Sequence, residues 1–381
     1  MDTRRVKNSI YKLVTRAYGI FNPIEKKVVF SSFGGKQYSD NPRAISEMLH
    51  EMYPDFKIVW WLKDTNDKYG LIPEYVDKVI VNRMNIIKER ATAFCVVTNE
   101  DIKGDVYKRK GQFYIQTWHG DLGFKKVLFD IPSDKLPSNY KVYDEEVTDL
   151  CIAASDYGIK QYRSAFRYTG EILKVGMPRN DQLVNSDKDK EKETKARLGI
   201  PENANILIYA PTFRDNLNSK QKATIDLEKV INILNKKGEK WICLIRSHSS
   251  SLGISFDHGT ESFFDVSDYP DMADLLGISD LLITDYSSCA GDFIRKRRGA
   301  ILAVFDKDEY TKNCRELPFD FKEAGFITAE TQEELDYIVE NYSLHDYENN
   351  ADAIMRYFNI TETGKSAQEI CKRIKCEYDS K

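Results

Sequence analysis

Short apolar runs alternate with helical stretches along this chain, and the pattern occurs twice. In the first half the apolar runs lie at 28–32, 57–62, 78–81, 94–97, 111–115 and 148–153, and in the second half at 204–209, 241–245, 281–283 and 299–304. Short apolar runs between polar segments are typical of strands buried on both faces, and helices between such strands favour parallel pairing. We therefore predict an α/β fold with two mostly parallel sheets covered by helices.

The segment at 184–198 (VNSDKDKEKETKARL) is too polar to belong to a core and separates the two halves. We predict an amphipathic basic helix at 1–20, Rossmann-like domains at 21–185 and 186–350, and C-terminal helices at 351–381, whose packing back on the first domain is left open. Two Rossmann-type domains with parallel sheets facing across a cleft describe a GT-B-like architecture, in which a nucleotide usually binds the C-terminal half. The G-x-G-x-x-G fingerprint is absent, which argues against a dinucleotide.

The composition restricts the classes of function. The 381 residues suffice for two domains, and a formal net charge of −4 with 30% charged residues gives no reason to expect nucleic acid as a partner. The seven cysteines show no C-x-x-C spacing, and Cys95, Cys151 and Cys243 lie within apolar runs, which indicates reduced core thiols in a cytoplasmic protein. No apolar run approaches the roughly 18 residues of a membrane span, and no signal peptide is visible. We therefore predict a cytoplasmic location.

The N-terminal segment at 3–20 has helical periodicity with one apolar stripe. The stripe comprises Val6, Ile10, Leu13, Val14 and Tyr18. The basic residues of the segment lie mostly off this stripe. Such a helix binds an anionic membrane surface, or it packs on its own domain with a solvated basic face. The sequence leaves both interpretations open.

The segment at 280–295 is the strongest candidate for an anion site. An apolar run at 281–283 is followed by the polar turn TDYSS and then by a helix that begins near Ser288. The first amides of a helix have no internal partner, so together with the hydroxyls of Ser287 and Ser288 they suit a phosphate group. A serine that only caps the helix and binds no ligand is the alternative.

Histidines and arginines follow several of the predicted strands. His119 and His248 occur in polar loops just after apolar runs, where the carboxyl ends of parallel strands line a binding crevice. A single histidine of this kind is more often structural, but two at equivalent strand ends favour a functional role. Arg214 and Arg246 lie in similar loops, and planar guanidinium groups suit bidentate phosphate binding, although a surface ion pair explains each equally well.

Two further loops carry weaker signals. The loop at 31–41 contains two glycines, which let a ligand approach the backbone or simply form a tight turn. The acid-rich segment at 265–274 lacks the spacing of an EF-hand, and we interpret it as a helix N-terminus rather than a metal site. No metal ligands and no cofactor are predicted.

Five segments together resemble the CDP-glycerol glycerophosphotransferases, in which they occur in the same order. They are residues 116–120 (QTWHG), 176–181 (GMPRND), 209–214 (YAPTFR), 246–248 (RSH) and 280–288 (DLLITDYSS). The resemblance runs from about residue 28 to residue 326. Members of this family prime or polymerise wall teichoic acid and related polyol-phosphate polymers. In them an acceptor hydroxyl attacks the β-phosphorus of a CDP-polyol, and CMP leaves.

The resemblance implies a role for several single residues. His119 is similar to the general base beside the acceptor hydroxyl, and His248 with Arg246 is similar to the ligands of the donor diphosphate. Substrate binding is also implied for Arg214, Ser287, Ser288, Asp285, Gly120 and Arg179. The family usually has an Arg-Gly pair where this chain reads TKNCRE at 311–316, so Arg315 is the candidate replacement.

The implied reaction transfers a polyol phosphate, with glycerol phosphate expected before ribitol phosphate, from a CDP-polyol to a hydroxyl of a lipid-linked or polymeric acceptor. The implied location is peripheral, on the cytoplasmic face of the cell membrane, where the membrane surface is a further partner. Two rival interpretations are a GT-B glycosyltransferase that uses a nucleotide sugar and a catalytically silent nucleotide-binding protein of a polymer assembly complex. Release of CMP distinguishes a polyol-phosphate transferase from both rivals, because a glycosyltransferase releases a nucleoside diphosphate and a silent protein releases nothing.

Overall fold

The computed structural model describes residues 3–136, 140–212, 225–238, 240–246, 262–313 and 316–381. The chain divides into two compact units: Met1–Asp121, Val127–Asp181 and Thr361–Lys381 form the first, and Leu122–Lys126 and Gln182–Ile360 form the second. The division falls at 181/182 rather than at the predicted 185/186, and residues 351–360 belong to the second unit. Most of the polar segment at 184–198 is a helix of the second unit rather than a linker.

The first unit is built on a sheet of seven strands. The strands are β1 (Glu25–Ser31), β2 (Lys57–Leu62), β3 (Asp77–Ile80), β4 (Ala93–Thr98), β5 (Phe113–Gln116), β6 (Leu150–Ala153) and β7 (Glu171–Lys174). The helices are α1 (Thr3–Phe21), α2 (Asp40–Met52), α3 (Arg83–Thr92), α4 (Asp144–Val147) and α5 (Asp156–Ser164), and α14 (Ser366–Asp379) joins them from the end of the chain. The strand order is β3-β2-β1-β4-β5-β6-β7, and all neighbours are parallel.

The second unit is built on a sheet of six strands. The strands are β8 (Asn205–Ala210), β9 (Trp241–Ile245), β10 (Phe263–Asp265), β11 (Leu281–Thr284), β12 (Gly299–Ala303) and β13 (Ile327–Ala329). The helices are α6 (Asp181–Asn185), α7 (Lys188–Leu198), α8 (Leu227–Asn235), α9 (Met272–Ile278), α10 (Cys289–Phe293), α11 (Lys307–Asn313), α12 (Gln332–Asn341) and α13 (Leu344–Tyr357). The strand order is β10-β9-β8-β11-β12-β13, again with parallel neighbours only.

Both sheets have the strand order of a Rossmann fold, with the reversal between β1 and β4 in the first and between β8 and β11 in the second. The predicted α/β class with two Rossmann-type parallel sheets is confirmed. All ten predicted strands are present. The described residues contain three further strands, β7, β10 and β13, each of which forms one edge of a sheet. An edge strand has a single neighbour and is less buried, so its apolar signal is short.

Helix α1 packs on α3 through the face opposite to its apolar stripe. On this inner face Thr15 is buried, and the guanidinium of Arg83 lies 4.2 Å from the ring centroid of Tyr11. The exposed side chains include Val6, Ile10, Leu13, Val14, Ile20 and Phe21. At 100° per residue they lie within an arc of about 120°. Tyr18, predicted on the stripe, is partly buried and lies beside the inner face instead.

Helix α14 packs against α2 and is capped by a residue from far away in the sequence. The N–H groups of Ser366 and Ala367 donate to the carboxylate of Asp181 at 2.9 and 2.8 Å. Gly176 has φ +102°, and a Cβ at this position would lie 2.4 Å from Ser366 Oγ, so glycine is required here. The segment at 176–181 therefore ties the end of β7 to α14.

We expect Asp181→Ala to destabilise the protein by about 1–3 kcal/mol, because two buried helix-start amides lose their acceptor. The matched control is Asp187→Ala, which removes the exposed, local cap of α7, where Asp187 accepts from the N–H of Lys190 at 3.1 Å. Hydrogen exchange followed by mass spectrometry should show faster exchange in α14 for the first variant and only in α7 for the second. Unchanged exchange of α14 in Asp181→Ala would contradict this role of Asp181.

Candidate active site

The candidate general base lies near the reversal of strand order in the first sheet. The loops after β1 and β4 diverge at this point, and the loop after β5 follows the neighbouring strand. The N–H of Phe33 donates to Asn99 Oδ1 at 2.8 Å, and His119 Nδ1 lies 2.7 Å from the carbonyl oxygen of Asn99. The ring centroids of Phe33 and His119 are 5.5 Å apart. Asn99, which is fully buried, therefore holds the three strand-end loops together.

The contact with Asn99 defines which nitrogen of His119 carries the proton. A backbone carbonyl only accepts hydrogen bonds, so Nδ1 carries the proton and Nε2 of the neutral ring keeps a free lone pair. Burial lowers the pKa of His119, and the hydrogen bond to Asn99 partly opposes this shift. The ring is therefore neutral near pH 7, as a proton acceptor must be.

The backbone just before His119 has an uncommon conformation. Trp118 has φ +52°, in the left-handed region that costs about 1–3 kcal/mol for a residue other than glycine. The N–H of Trp118 donates to Gln116 Oε1 at 2.9 Å, and its carbonyl accepts from Asn41 Nδ2 at 3.1 Å. Gln116 Nε2 in turn donates to Asp144 Oδ1 at 2.7 Å, and burial raises the pKa of Asp144 to about 6. A buried polar network thus holds the strained residue in place.

Arg179 is buried in an ion pair that belongs to the same network. Its guanidinium lies 2.8 Å from the carboxylate of Asp40, and 7% of its side chain is exposed. The N–H of Arg179 donates to Asn41 Oδ1 at 3.2 Å, so the Asn41 side chain bridges Arg179 and the loop of His119. The charges of Asp40 and Arg179 act on the pKa of His119 in opposite directions. Arg179 therefore supports the loop, while its direct contact with a substrate stays a prediction.

Gly120 is buried between the candidate base and Asp121. The carboxylate of Asp121 accepts from the N–H groups of Ala154 at 2.7 Å and Ser155 at 3.1 Å, at the carboxyl end of β6. The loop that contains His119 is thereby anchored to a further strand end. Substrate contact by Gly120 stays a prediction.

The supporting residues Asn41, Asn99, Gln116 and Asp144 have no assigned role in the sequence analysis. Asn99 and Gln116 each come within two residues of the end of an apolar run, which is the signal that could have identified them. Asn41 and Asp144 lie in the first turn of a helix, where a polar residue has an ordinary capping explanation. Their roles depend on contacts between distant segments.

The second candidate region lies at the corresponding reversal in the second unit, between β8 and β11. Asp285 Oδ1 accepts from the N–H of Thr212 at 2.8 Å and from its neighbour Tyr286 at 2.6 Å. The hydroxyl of Thr284 donates to the carbonyl of Ala210 at 2.6 Å. The buried carboxylate of Asp285 therefore holds the loops after β8 and β11 together, and its contact with a substrate stays a prediction.

Ser287 and Ser288 follow at the start of α10, and both are partly exposed. Ser288 occupies the N-cap position, but its side chain makes no capping hydrogen bond. Ser287 Oγ accepts from the N–H of Cys289 at 3.4 Å. A purely structural serine cap therefore does not describe Ser288. Because α10 has five residues, the hydroxyls and turn amides, rather than the dipole of a long helix, are what the region offers an anion.

Arg246 directly follows β9, and its Nη1 donates to the carbonyl of Tyr269 at 2.6 Å. Burial lowers the pKa of its guanidinium. The predicted residues Arg214, His248 and Arg315 lie outside the described residues. Within the described ranges, no group of three or more His, Cys, Asp or Glu side chains is arranged to hold a metal ion.

Comparison with known proteins gives consistent matches along the chain. The family described as CDP-Glycerol:Poly(glycerophosphate) glycerophosphotransferase matches residues 16–376. The teichoic acid poly(glycerol phosphate) polymerase of Staphylococcus epidermidis is 31% identical over 96% of this chain and 54% of its own length, so this chain spans about half of that relative. The teichoic acid glycerol-phosphate transferase of Staphylococcus aureus is 30% identical, and the match covers 97% of this chain and 99% of that protein.

A solved structure of the wall teichoic acid polymerase TagF, from a crystal soaked with CDPG, matches with a TM-score of 0.81 and 28% identity, and the match covers 99% of this chain and 97% of that chain. This likeness and the two parallel sheets agree with the predicted GT-B-like class. The family match extends over nearly the whole chain, and it confirms the resemblance that the five sequence segments indicated. The chain therefore belongs to the CDP-glycerol:poly(glycerophosphate) glycerophosphotransferase family.

Proposed function

We propose that this protein transfers glycerol phosphate from CDP-glycerol to a hydroxyl of a lipid-linked or polymeric acceptor and releases CMP. The observation that carries the proposal is the hydrogen bond from His119 Nδ1 to the carbonyl of Asn99, which leaves the lone pair of Nε2 to accept a proton. Glycerol phosphate is preferred over ribitol phosphate because two relatives that this chain covers almost completely are named for glycerol phosphate and are 30% identical to it. A ribitol-phosphate primase covered to a similar extent is 23% identical. The crystal of TagF soaked with CDPG supports the same donor.

In the proposed reaction His119 Nε2 accepts the proton of the acceptor hydroxyl while the hydroxyl oxygen attacks the β-phosphorus. The bond between the β-phosphorus and the bridging oxygen breaks, and CMP leaves with the electron pair. Phosphoryl transfer depends on positioning and charge stabilisation more than on covalent catalysis. Positive charge and hydrogen-bond donors near the diphosphate are assigned to Arg246, Ser287 and Ser288, and to the predicted residues Arg214 and His248.

The rival proposals, a glycosyltransferase and a silent nucleotide-binding protein, are separated from this one by the products. Incubation with CDP-glycerol and a lipid-linked acceptor analogue should release CMP. Release of a nucleoside diphosphate from a nucleotide sugar would favour the glycosyltransferase. Binding of CDP without any turnover would favour the silent protein.

We further propose that α1 binds the protein peripherally to the cytoplasmic face of the membrane. Its polar and aromatic face is used for packing on α3, which leaves the apolar stripe exposed. Lys7 and Arg16 are exposed on either side of the stripe, where basic residues contact anionic headgroups. Within the described residues no helix has the length and hydropathy to cross a bilayer, so α1 is proposed to lie in the interface.

His119→Ala should lower kcat by about 10²–10⁴-fold, because a general base is typically worth this much, and should leave CDP affinity unchanged. The matched control is His345→Ala, which removes an exposed histidine of α13 and should leave turnover unchanged. Wild-type turnover in His119→Ala would show that the base lies elsewhere.

The pH profile tests the protonation of the same residue. The base acts only when neutral, so activity falls as the pH drops through the pKa of His119. Since burial lowers that pKa, kcat/KM should stay high at pH 6.5, the usual value for histidine, and fall only in more acidic solution. A loss of activity centred above pH 6.5 would contradict the proposed environment of His119.

Ser288→Asp should weaken CDP binding at least tenfold, about 1.4 kcal/mol, because a negative charge then faces the diphosphate. The melting temperature should stay near normal, since aspartate is as favourable as serine at an N-cap position. Ser343→Asp makes the same change at the cap of α13 and should leave CDP affinity unchanged. Calorimetric titration measures the affinity of both variants for CDP. Equal affinities of Ser288→Asp and Ser343→Asp would show that the diphosphate does not bind at this turn.

Replacement of Ile10 and Leu13 by serine should weaken binding to anionic liposomes at least tenfold, about 1.4 kcal/mol, because two apolar side chains no longer enter the interface. The matched control replaces Tyr337 and Leu344 of the second unit by serine; the four side chains are 53%, 65%, 64% and 49% exposed, in the order named. Activity on a soluble acceptor should be retained in both. Equal sedimentation of the two double variants with liposomes would refute membrane binding by α1.

A further inference from the structure

A groove of about 360 Å³ lies in the second unit at the amino ends of β8, β11 and β12. Its lining includes Asn205 at the start of β8, Asp280 just before β11 and Arg298 just before β12, together with side chains of α7. The candidate diphosphate region lies after β8 and β11, at the carboxyl edge of the same sheet. The groove is therefore a separate feature at the opposite edge, which we call the amino-edge groove.

The amino-edge groove contains more positive than negative side chains. Its five basic residues are Lys188, Lys192, Lys195, Lys296 and Arg298, and its three acidic residues are Glu191, Glu202 and Asp280. The surplus is thus two positive charges, in a chain whose formal net charge is −4. Such a local surplus favours an anionic ligand.

The acidic residues of the groove already have partners. Glu191 lies 2.9 Å from Lys188, and Glu202 lies 3.0 Å from Lys192. The carboxylate of Asp280 accepts from the N–H of Ile206, near the start of β8, at 3.0 Å. These contacts compensate two of the lysines and leave the charges of the remaining basic residues less well balanced.

Lys296 and Arg298 are the two basic residues of the groove that lie just before β12. Lys296 Nζ donates to the carbonyls of Gly277 and Ser279, and its distance to the carboxylate of Glu191 is 3.9 Å. Burial lowers the pKa of Lys296 to about 8, although Glu191 partly opposes the shift. Arg298 Nε is buried and has no hydrogen-bond partner among the described residues. A buried donor without a partner costs about 1–3 kcal/mol, so the guanidinium of Arg298 lies in the wall of the groove at a cost in stability.

We propose that the amino-edge groove binds a phosphate group through Arg298 and Lys296. The surplus of two positive charges matches a phosphate dianion or two neighbouring phosphodiesters, and guanidinium groups bind phosphate oxygens in a bidentate manner. The volume is that of a small-ligand site. The same chemistry occurs in free phosphate and in the phosphodiesters of a polyol-phosphate chain, and the test below separates these two sources.

The test follows the reactivity of Lys296 toward an amine-acylating reagent at pH 8, read by mass spectrometry of its peptide. An anion beside Lys296 favours its charged form and raises its pKa, and a rise of one unit lowers the neutral, reactive fraction at pH 8 about fivefold. Inorganic phosphate and a soluble glycerol phosphate oligomer are titrated separately at constant ionic strength, with chloride as the reference salt. Neither CDP-glycerol nor an acceptor is present, so the result does not depend on the proposed transfer reaction.

We expect phosphate or the oligomer to slow labelling of Lys296 in the wild type. In Arg298→Gln the same protection should require at least a tenfold higher ligand concentration, which corresponds to about 1.4 kcal/mol of binding free energy. Lys236→Gln, which removes an exposed lysine of the same unit outside the groove, should behave like the wild type. Protection by the oligomer alone would assign the site to a polymer chain, and protection by inorganic phosphate alone would assign it to the free anion. Protection no greater than that by chloride, or equal protection in Arg298→Gln, would overturn the proposal.

Discussion

The candidate site depends on one constraint that occurs in both sheets, the reversal of strand order. At a reversal the two adjacent strands send their connections in opposite directions, so no strand ladder holds the diverging loops. In the first sheet Asn99, the residue directly after β4, accepts from the N–H of Phe33, two residues beyond β1. In the second sheet Asp285, directly after β11, accepts from the N–H of Thr212, two residues beyond β8. In each unit one buried polar side chain therefore holds the diverging loops together.

The polar network around His119 fixes the position of the imidazole, and it does so at a cost in stability. Trp118 is held in a left-handed conformation, and Arg179 and Asp40 form a buried ion pair whose desolvation offsets much of its attraction. A chain selected for stability alone would replace such groups with apolar side chains of similar volume. Asn41 connects the two features through its side chain, so the orientation of the imidazole depends on a set of mutually satisfied donors and acceptors.

The positions of the charges say more about the partners of this protein than its net charge does. A formal net charge of −4 hides the basic surplus of the amino-edge groove and the basic flanks of α1. In α1 the unusual feature is the direction of the apolar stripe, because an ordinary surface helix buries that face. Here Thr15 is buried and Leu13 is exposed, which is the reverse of what the side chains would prefer in water. The carboxyl edges of the sheets are thus proposed to bind the donor and the acceptor, the amino-edge groove a phosphate group, and α1 the membrane surface.

Local sequence determined much of the fold, because central parallel strands are apolar on both faces and stand out from polar surroundings. It failed at three of the four edge strands, β7, β10 and β13, each of which is only three or four residues long and has a single neighbour. His119 is recognisable as a polar residue at a strand end, and the family resemblance adds its expected role. Its protonation depends on the carbonyl of Asn99, which only the pairing of β4 with β5 brings within 2.7 Å.

The remaining assignments were decided by contacts between distant segments. The family resemblance implies substrate binding for Arg179, and the fold pairs this residue with Asp40, far earlier in the chain. The periodicity of residues 3–20 defines an apolar stripe but not the face that packs, because that choice depends on the surface of α3. The sequence by itself thus determined most of the strands and the candidate chemical groups. Tertiary structure decided which of those groups are charged, buried or exposed, since each property depends on neighbours that the sheets bring together.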